Sequence, residues 1–200
     1  LVKAYDQSVE RRESSATAGW KISEREKFLS CLRSSGAQSL MDLGSGPGVH
    51  AEYFRNQGLD VTCVDLSPAM VERCRGKGFE AYVCDALDLA GLGMIFDAVF
   101  ALNSLLHVPS DCLTMALSAI QASLVPGGLF YWGQYGGEAW EGIRDEDDYE
   151  PKRFFSFLDD RTILSSARQS FSVEAFARIK LEGADSYYFQ SLILRTRDVS

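Results

Sequence analysis

Apolar positions along the chain fall into two rhythms. Short runs at 40–43 (LMDL), 61–64 (VTCV), 79–84 (FEAYVC), 96–102 (FDAVFAL) and 129–133 (LFYWG) have the length and side-chain character of buried strands. Between them the spacing becomes helical. Residues 23–35 place Phe28, Leu29 and Leu32 on one face behind a Ser23/Glu26 capping box. A second helix is predicted from Val49 to Gln57, stopped by Gly58, and a third begins at Ser67-Pro68, a cap followed by a proline suited to the first turn. A fourth follows Pro109-Ser110-Asp111, with a stripe of Leu113, Leu117, Ile120 and Leu124 that ends at Pro126-Gly127-Gly128.

Strands alternating with helices predict a parallel sheet covered on both faces. The tail breaks that rhythm. VEAFARIK (173–180) and SYYFQSLILRT (186–196) are joined by LEGAD alone, too short a link for parallel strands, so they pair as an antiparallel hairpin with Gly183 in its turn. No repeat or low-complexity run interrupts the chain, and one domain is expected over residues 1–200.

The first strand runs into LMDLGSGPG, three glycines on alternate positions. In a doubly wound sheet, ligands sit beyond the carboxyl ends of the strands, where the strand order reverses. A sharp turn there needs backbone freedom, and a ligand approaching the main chain needs the space a side chain would fill. The second strand then ends in Asp65, nineteen residues after Gly46, about the spacing at which a carboxylate grips ribose hydroxyls. Nucleotide or nucleoside binding is expected. The dinucleotide fingerprint GxGxxG is not met, because the third glycine comes one position early and Val49 stands in its place.

From residue 37 to 133 the ordered motifs DLGSGPG, VDLSPAM, CDALDL, FDAVFALNSLLHVP and LVPGGLFYWG resemble the class I S-adenosylmethionine-dependent methyltransferases. The resemblance implies an α/β, Rossmann-like three-layer sandwich whose seven-stranded sheet runs 3-2-1-4-5-7-6, the last strand antiparallel. It implies S-adenosyl-L-methionine as cofactor. Gly44, Gly46 and Gly48 would pack against its methionine part, with Asp42 orienting their loop. Asp65 would take the ribose hydroxyls, Leu66 would cover the adenine, and Asp85 and Ala86 would read the adenine edge. Asn103 would offer its carbonyl to the ammonium. The domain then divides into an N-terminal cap and helix (1–35), the cofactor-binding core (37–133), a lid (134–152) and a C-terminal helix with the hairpin (153–200). The expected activity is methyl transfer to a small-molecule acceptor by in-line displacement. An NAD-dependent oxidoreductase and a non-catalytic S-adenosylmethionine-binding protein are the alternatives.

Composition narrows the partners. Acidic residues outnumber basic ones, 28 to 20, for a net charge of −8, which opposes nucleic acid and anionic membrane surfaces. Five cysteines without a CxxC pair and only two histidines predict no metal site, and buried reduced thiols suit a cytoplasmic protein. No stretch reads as a signal peptide or approaches the ~20 apolar residues of a membrane span.

The acceptor side is expected from outside the common core. His107, after the fourth strand, is the candidate general base, with a structural or substrate-lining role as the alternative, and His50 is expected on a solvated helix face, with contact to the cofactor as the alternative. Tyr5 and Trp20 are expected on one wall of the acceptor pocket, Tyr135 and Trp140 on the other. The segment from 134 to 150 sets seven acids against one base, Arg144, and as a lid it would favour a neutral or cationic acceptor.

Overall fold

The computed structural model describes residues 1–181, 183 and 187–197. Seven strands form one sheet: β1 (Ser39–Leu43), β2 (Asp60–Asp65), β3 (Glu80–Val83), β4 (Phe96–Leu102), β5 (Leu124–Gly136), β8 (Phe171–Ile179) and β9 (Tyr188–Thr196). Their order is β3-β2-β1-β4-β5-β9-β8. Pairing is parallel from β3 to β5, and β9 runs antiparallel between β5 and β8. This is the expected topology, with the closing hairpin wedged against β5. Of the expected hairpin turn, Gly183 sits at φ +75°, in the left-handed region, while residues 182 and 184–186 lie outside the described residues.

The period of two in the central strands sorts side chains into two cores. Leu40, Ala98, Phe100, Leu129 and Tyr131 face one way and pack with Phe28, Phe54 and Val71. Met41, Val99, Ala101, Phe130 and Trp132 face the other and pack with Leu117, Ile120 and Ile163. Helices α3 (Gly19–Ser35), α4 (Val49–Asn56) and α5 (Pro68–Gly76) cover the first face, and α6 (Leu113–Ala122) and α7 (Asp160–Ser170) the second. Burying both faces leaves only the strand ends for chemistry.

Two local expectations are corrected. The α3 helix starts one turn before the Ser23/Glu26 box, and Ser23 donates its hydroxyl to Gly19 O inside the helix. Tertiary packing outweighs the local cap. Trp20 lies against Phe189 and Tyr135, and the buried Glu24 accepts from Tyr131 and Ser191, so the first turn is pinned to β5 and β9. Leu124 belongs to β5 rather than to the α6 stripe, because it pairs with Phe96 ahead of a register shift. By contrast, Ser67 caps α5 as expected, accepting from Met70 N.

Two short helices, α1 (Val2–Asp6) and α2 (Val9–Ser14), precede α3. The remaining strands, β6 (Trp140–Ile143) and β7 (Phe154–Phe157), make a separate two-stranded ribbon beyond β5.

Candidate functional site

A trough runs along the carboxyl ends of β3, β2, β1 and β4, in three adjoining sections of about 120, 80 and 320 Å³. The first section is lined by Leu66, Asp85 and Ala86, the second by Gly46, Asp65 and Leu66. The third opens beside Gly44 and Asn103, against His50, His107 and Tyr135. Nine residues between 44 and 107 that the sequence singled out one by one thus share one groove.

The glycine loop has a distinct reason at each position. Gly44, Gly46 and Gly48 all adopt left-handed φ (+74°, +54° and +83°), which L side chains rarely accept. A Cβ on Gly44 would lie 2.3 Å from Ser104 Cβ, and one on Gly48 would lie 3.2 Å from Cys74 Sγ. Only at Gly46 would it point into open space, with the Arg12 guanidinium 3.9 Å away as its nearest neighbour. The first and third glycines therefore pack the loop onto the protein, and the middle one keeps the groove clear.

Asp65 holds that loop in place. Its Oδ2 accepts from Gly46 N at 2.8 Å and its Oδ1 from Ser67 N at 2.9 Å. Burial raises its pKa, and these backbone bonds, with Arg12, oppose the rise. Asp42 lies beneath the loop, 2% exposed, and does not line the trough. Burial, then Cys74 and Asp65, push its pKa well up. Asp85 accepts from Leu87 N at 2.9 Å, shaping the turn after β3 rather than capping an α-helix. Asn103 is the one described non-glycine residue at positive φ (+58°), and its N–H bonds Gly133 O at 2.7 Å.

A group bound at the glycine loop would find polar atoms waiting. In the lining of the trough, His50 Nδ1, Asn103 Oδ1 and Ser104 Oγ are buried without a hydrogen-bond partner. Such atoms are costly unless something satisfies them. The donor and acceptor set suits the amino-acid end of S-adenosylmethionine, and the open face of Gly46 gives it room.

The largest section is built differently. His107 Nδ1 lies 2.6 Å from Phe154 O, a carbonyl that can only accept, so this nitrogen carries the proton. Nε2 is then the acceptor for the Tyr5 hydroxyl, also at 2.6 Å. Arg153 Nη1 donates to Tyr5 Oη at 3.1 Å and is itself paired with Asp147. Desolvation lowers the His107 pKa to about 4, partly opposed by the Phe154 bond. Burial raises that of Tyr5, with Arg153 and Arg12 pulling it back. The candidate base is thus neutral, and its lone pair is already engaged by Tyr5.

Not every expected wall residue lines this space. Tyr5 and Tyr135 do. Trp20 stands behind Tyr135, its ring 6.2 Å away, and Trp140 lies on the outer side of the ribbon against Phe157, 42% exposed. His50 faces the groove rather than solvent, its pKa lowered to about 3 by burial and then by Arg25, Lys21 and Arg12.

The acidic segment does not bias the cavity as expected. Asp145, Glu146 and Asp148 point to solvent, Glu141 caps Ser110, and the buried Asp147 is consumed by Arg153. The side chains that reach inward are Arg11, Arg12, Lys21 and Arg153, with no carboxylate beside them in this section. A run of like charges sets the sign of a loop, but the direction of each side chain sets the sign of a pocket. Arg12, Lys21 and Arg153 escaped the sequence reading. The one available signal was local: residues 1–35 hold seven Lys and Arg against five Asp and Glu, inside an acidic chain.

Residues 40–128 match the family described as Methyltransferase domain. The sheet order and the groove agree with that match. Residues 40–128 carry a methyltransferase domain, consistent with the class I S-adenosylmethionine-dependent methyltransferases. Their cofactor, S-adenosylmethionine, is the group that the glycine-loop end fits. The Ubiquinone biosynthesis O-methyltransferase of Xanthomonas oryzae pv. oryzae (strain PXO99A) is 33% identical over 99 residues, 46% of this chain and 41% of that one. The Malonyl-[acyl-carrier protein] O-methyltransferase of Enterobacter lignolyticus is 30% identical over 149 residues, 69% of this chain and 57% of that one. The chain thus spans about two fifths to three fifths of these curated relatives. Among solved structures, the Burkholderia thailandensis 1,6-didemethyltoxoflavin-N1-methyltransferase with bound 1,6-didemethyltoxoflavin and S-adenosylhomocysteine superposes with a TM-score of 0.66. It is 20% identical and covers 92% of this chain and 93% of its own, a likeness of fold. Among the described residues, no helix is long and apolar enough to cross a membrane, and no group of metal-ligating side chains converges.

Proposed function

We propose that the chain transfers the methyl group of S-adenosylmethionine to a small-molecule acceptor held in the large section of the trough. The observation that carries this reading is adjacency. The section lined by His107 and Tyr135 opens directly beside Gly44 and Asn103, at the end of the groove that suits the cofactor's amino-acid part. The cofactor supplies an activated methyl group, and the protein's share is to bring the nucleophile into line, worth about 7–11 kcal/mol when positioning is tight.

In this reading Asp65 binds the ribose hydroxyls while keeping its bond to Gly46 N, and Leu66 and Ala86 border the adenine. Asp85 reads the adenine edge, and the Asn103 carbonyl meets the ammonium. Tyr5 closes the acceptor side, its hydroxyl oriented by His107 and Arg153. A proton leaving the acceptor reaches His107 through Tyr5, because Tyr5 already fills the Nε2 lone pair. The β6–β7 ribbon and residues 144–153 form the cover, with Tyr149 buried against Arg153 and Tyr5. The O-methyltransferase names of the two curated relatives favour oxygen as the methylated atom.

The test is a pair of measurements. Scanning fluorimetry with S-adenosylhomocysteine and with NADH should show stabilisation by the first alone. A radiolabelled methyl-transfer screen over phenols, carboxylates and amines should then yield product; retained cofactor binding with no product across that screen would favour a non-catalytic binding protein.

A further inference from the structure

Among the cations that reach the large section, two are accounted for. Arg153 is paired with Asp147, whose side chain is 3% exposed, and Arg11 reaches Asp148 at 3.4 Å. The other two, Arg12 and Lys21, have no carboxylate partner among the described residues. In a chain with eight more acids than bases, two such side chains meeting in one pocket is an uneven distribution.

Their positions differ. Arg12 lines both the glycine-loop section and the large one, and its guanidinium lies over Gly46. In the methyl-transfer reading it would meet the carboxylate of the cofactor's amino-acid part. Lys21 lines the large section alone, in the first turn of α3. Its Nζ sits 5.3 Å from the centre of the Trp20 ring, and burial together with the Arg12 charge lowers its pKa. An ammonium kept from water beside a second cation gains from an anion placed between them. The bound cofactor offers one carboxylate to these two cations. With Arg12 taking it, Lys21 is left to face the acceptor.

We propose that Lys21 binds a carboxylate on the acceptor, so that the substrates are small carboxylic acids. The inner wall matches such a molecule. Tyr135, Tyr149, Phe155 and Leu106 line the same section of about 320 Å³ with apolar surface, room for one ring and its substituents. This rests on the methyl-transfer reading above and gives it a substrate class.

The experiment uses the full chain saturated with S-adenosylhomocysteine. Matched triplets, each a carboxylate, its primary amide and the corresponding amine on benzoate, cinnamate and phenylacetate skeletons, are titrated by calorimetry. Carboxylates should bind at least tenfold more tightly than their amides, with amines weakest. Lys21→Gln should erase that preference while leaving S-adenosylhomocysteine affinity within about twofold. Carboxylates binding no better than amides, whether both bind or neither does, would overturn the proposal. So would a Lys21→Gln variant that loses affinity for S-adenosylhomocysteine but not for 5′-methylthioadenosine, since Lys21 would then serve the cofactor's carboxylate. Lys21→Arg restores the carboxylate preference if charge is what matters; a Lys21→Met variant that keeps it would show a packing role only and overturn the idea. Wild-type protein that fails to bind S-adenosylhomocysteine would instead sink the parent reading, and the triplets titrated without it would still report on Lys21.

Discussion

The two ends of the trough are built by different means. At the cofactor end, each contact comes from the end of a strand or the few residues that follow it: Gly44 and Gly46 after β1, Asp65 and Leu66 at the end of β2, Asp85 and Ala86 after β3. Backbone conformation and short-range hydrogen bonds do most of the shaping. At the acceptor end, Tyr5, Lys21, His107 and the pair Tyr149 and Arg153 come from four separate places in the chain, and long side chains meet through tertiary contacts. The first end is fixed once the sheet forms. The second depends on how the N-terminal helices and the ribbon dock, so it can vary without disturbing the first.

This contrast can be broken most severely at Gly44. Gly44→Ala brings a Cβ within 2.3 Å of Ser104 Cβ at a left-handed φ, so both the loop and Ser104 must move. Loss of cofactor binding is expected together with a drop in stability on the order of 2–4 kcal/mol, read by urea melts. Gly46→Val should separate the two effects. Its side chain meets open groove, so affinity for S-adenosylhomocysteine should fall more than 100-fold, while stability falls only by the left-handed and β-branched strain of about 1–2 kcal/mol. Normal binding by Gly46→Val would show that the groove does not hold the cofactor there.

Asp65→Ala comes next. The carboxylate holds two backbone N–H groups as well as its proposed ribose contacts, so the variant should lose affinity for S-adenosylhomocysteine and also some stability. Hydrogen bonds to a charged group are worth roughly 1.5–3 kcal/mol each. Calorimetry returning wild-type affinity would remove Asp65 from the site.

At the acceptor end smaller changes are expected. Tyr5→Phe removes the donor to His107 Nε2 and the acceptor for Arg153, which should leave cofactor affinity within about twofold and cost roughly 1 kcal/mol of stability. Because that donor favours the neutral imidazole, the His107 pKa should rise in the variant, measurable by NMR titration of the ring. An unchanged titration would mean that the 2.6 Å contact is not a hydrogen bond in solution.

A pH dependence with a definite sign tests the burial of both rings. Both histidines have folded-state pKa values below the ordinary 6.5, about 4 for His107 and about 3 for His50. The unfolded chain therefore takes up more protons as pH falls through 6.5, and stability declines from there down to about 4 to 3 before levelling off. Urea midpoints at pH 7.5, 6 and 5 should show that decline, shallower in His107→Asn than in wild type. A midpoint flat across that range would place both rings in water.

The same contrast explains what was legible beforehand. The alternation of strands and helices and the hairpin follow from the apolar period, while the strand order and the residues from Asp42 to Asn103 follow from motifs that resemble the family's. The Ser23/Glu26 box misled because Trp20 and Glu24 gain more from packing on β5 and β9 than the helix gains from that cap. Residues 134–150 misled about charge because sequence gives no direction for an acid on a ribbon: Asp147 turns in to Arg153 while Asp145 stays fully exposed. Nothing in the linear pattern brings Lys21 and Arg153 into one pocket.

The N-terminal segment touches both ends at once. Asp6 accepts from Ser67 Oγ and from Ala69 N at the start of α5, Glu13 pairs with Arg73 and Lys77, and Tyr5 reaches His107. A strap shared in this way makes the two ligands thermodynamically linked, since whichever arrives first fixes residues that the second then finds already ordered. Linkage is reciprocal: the factor by which S-adenosylhomocysteine tightens acceptor binding must equal the factor by which acceptor tightens S-adenosylhomocysteine. Deleting residues 1–14 should bring that factor to one. A factor that survives the deletion would assign the coupling to direct contact between the two ligands instead.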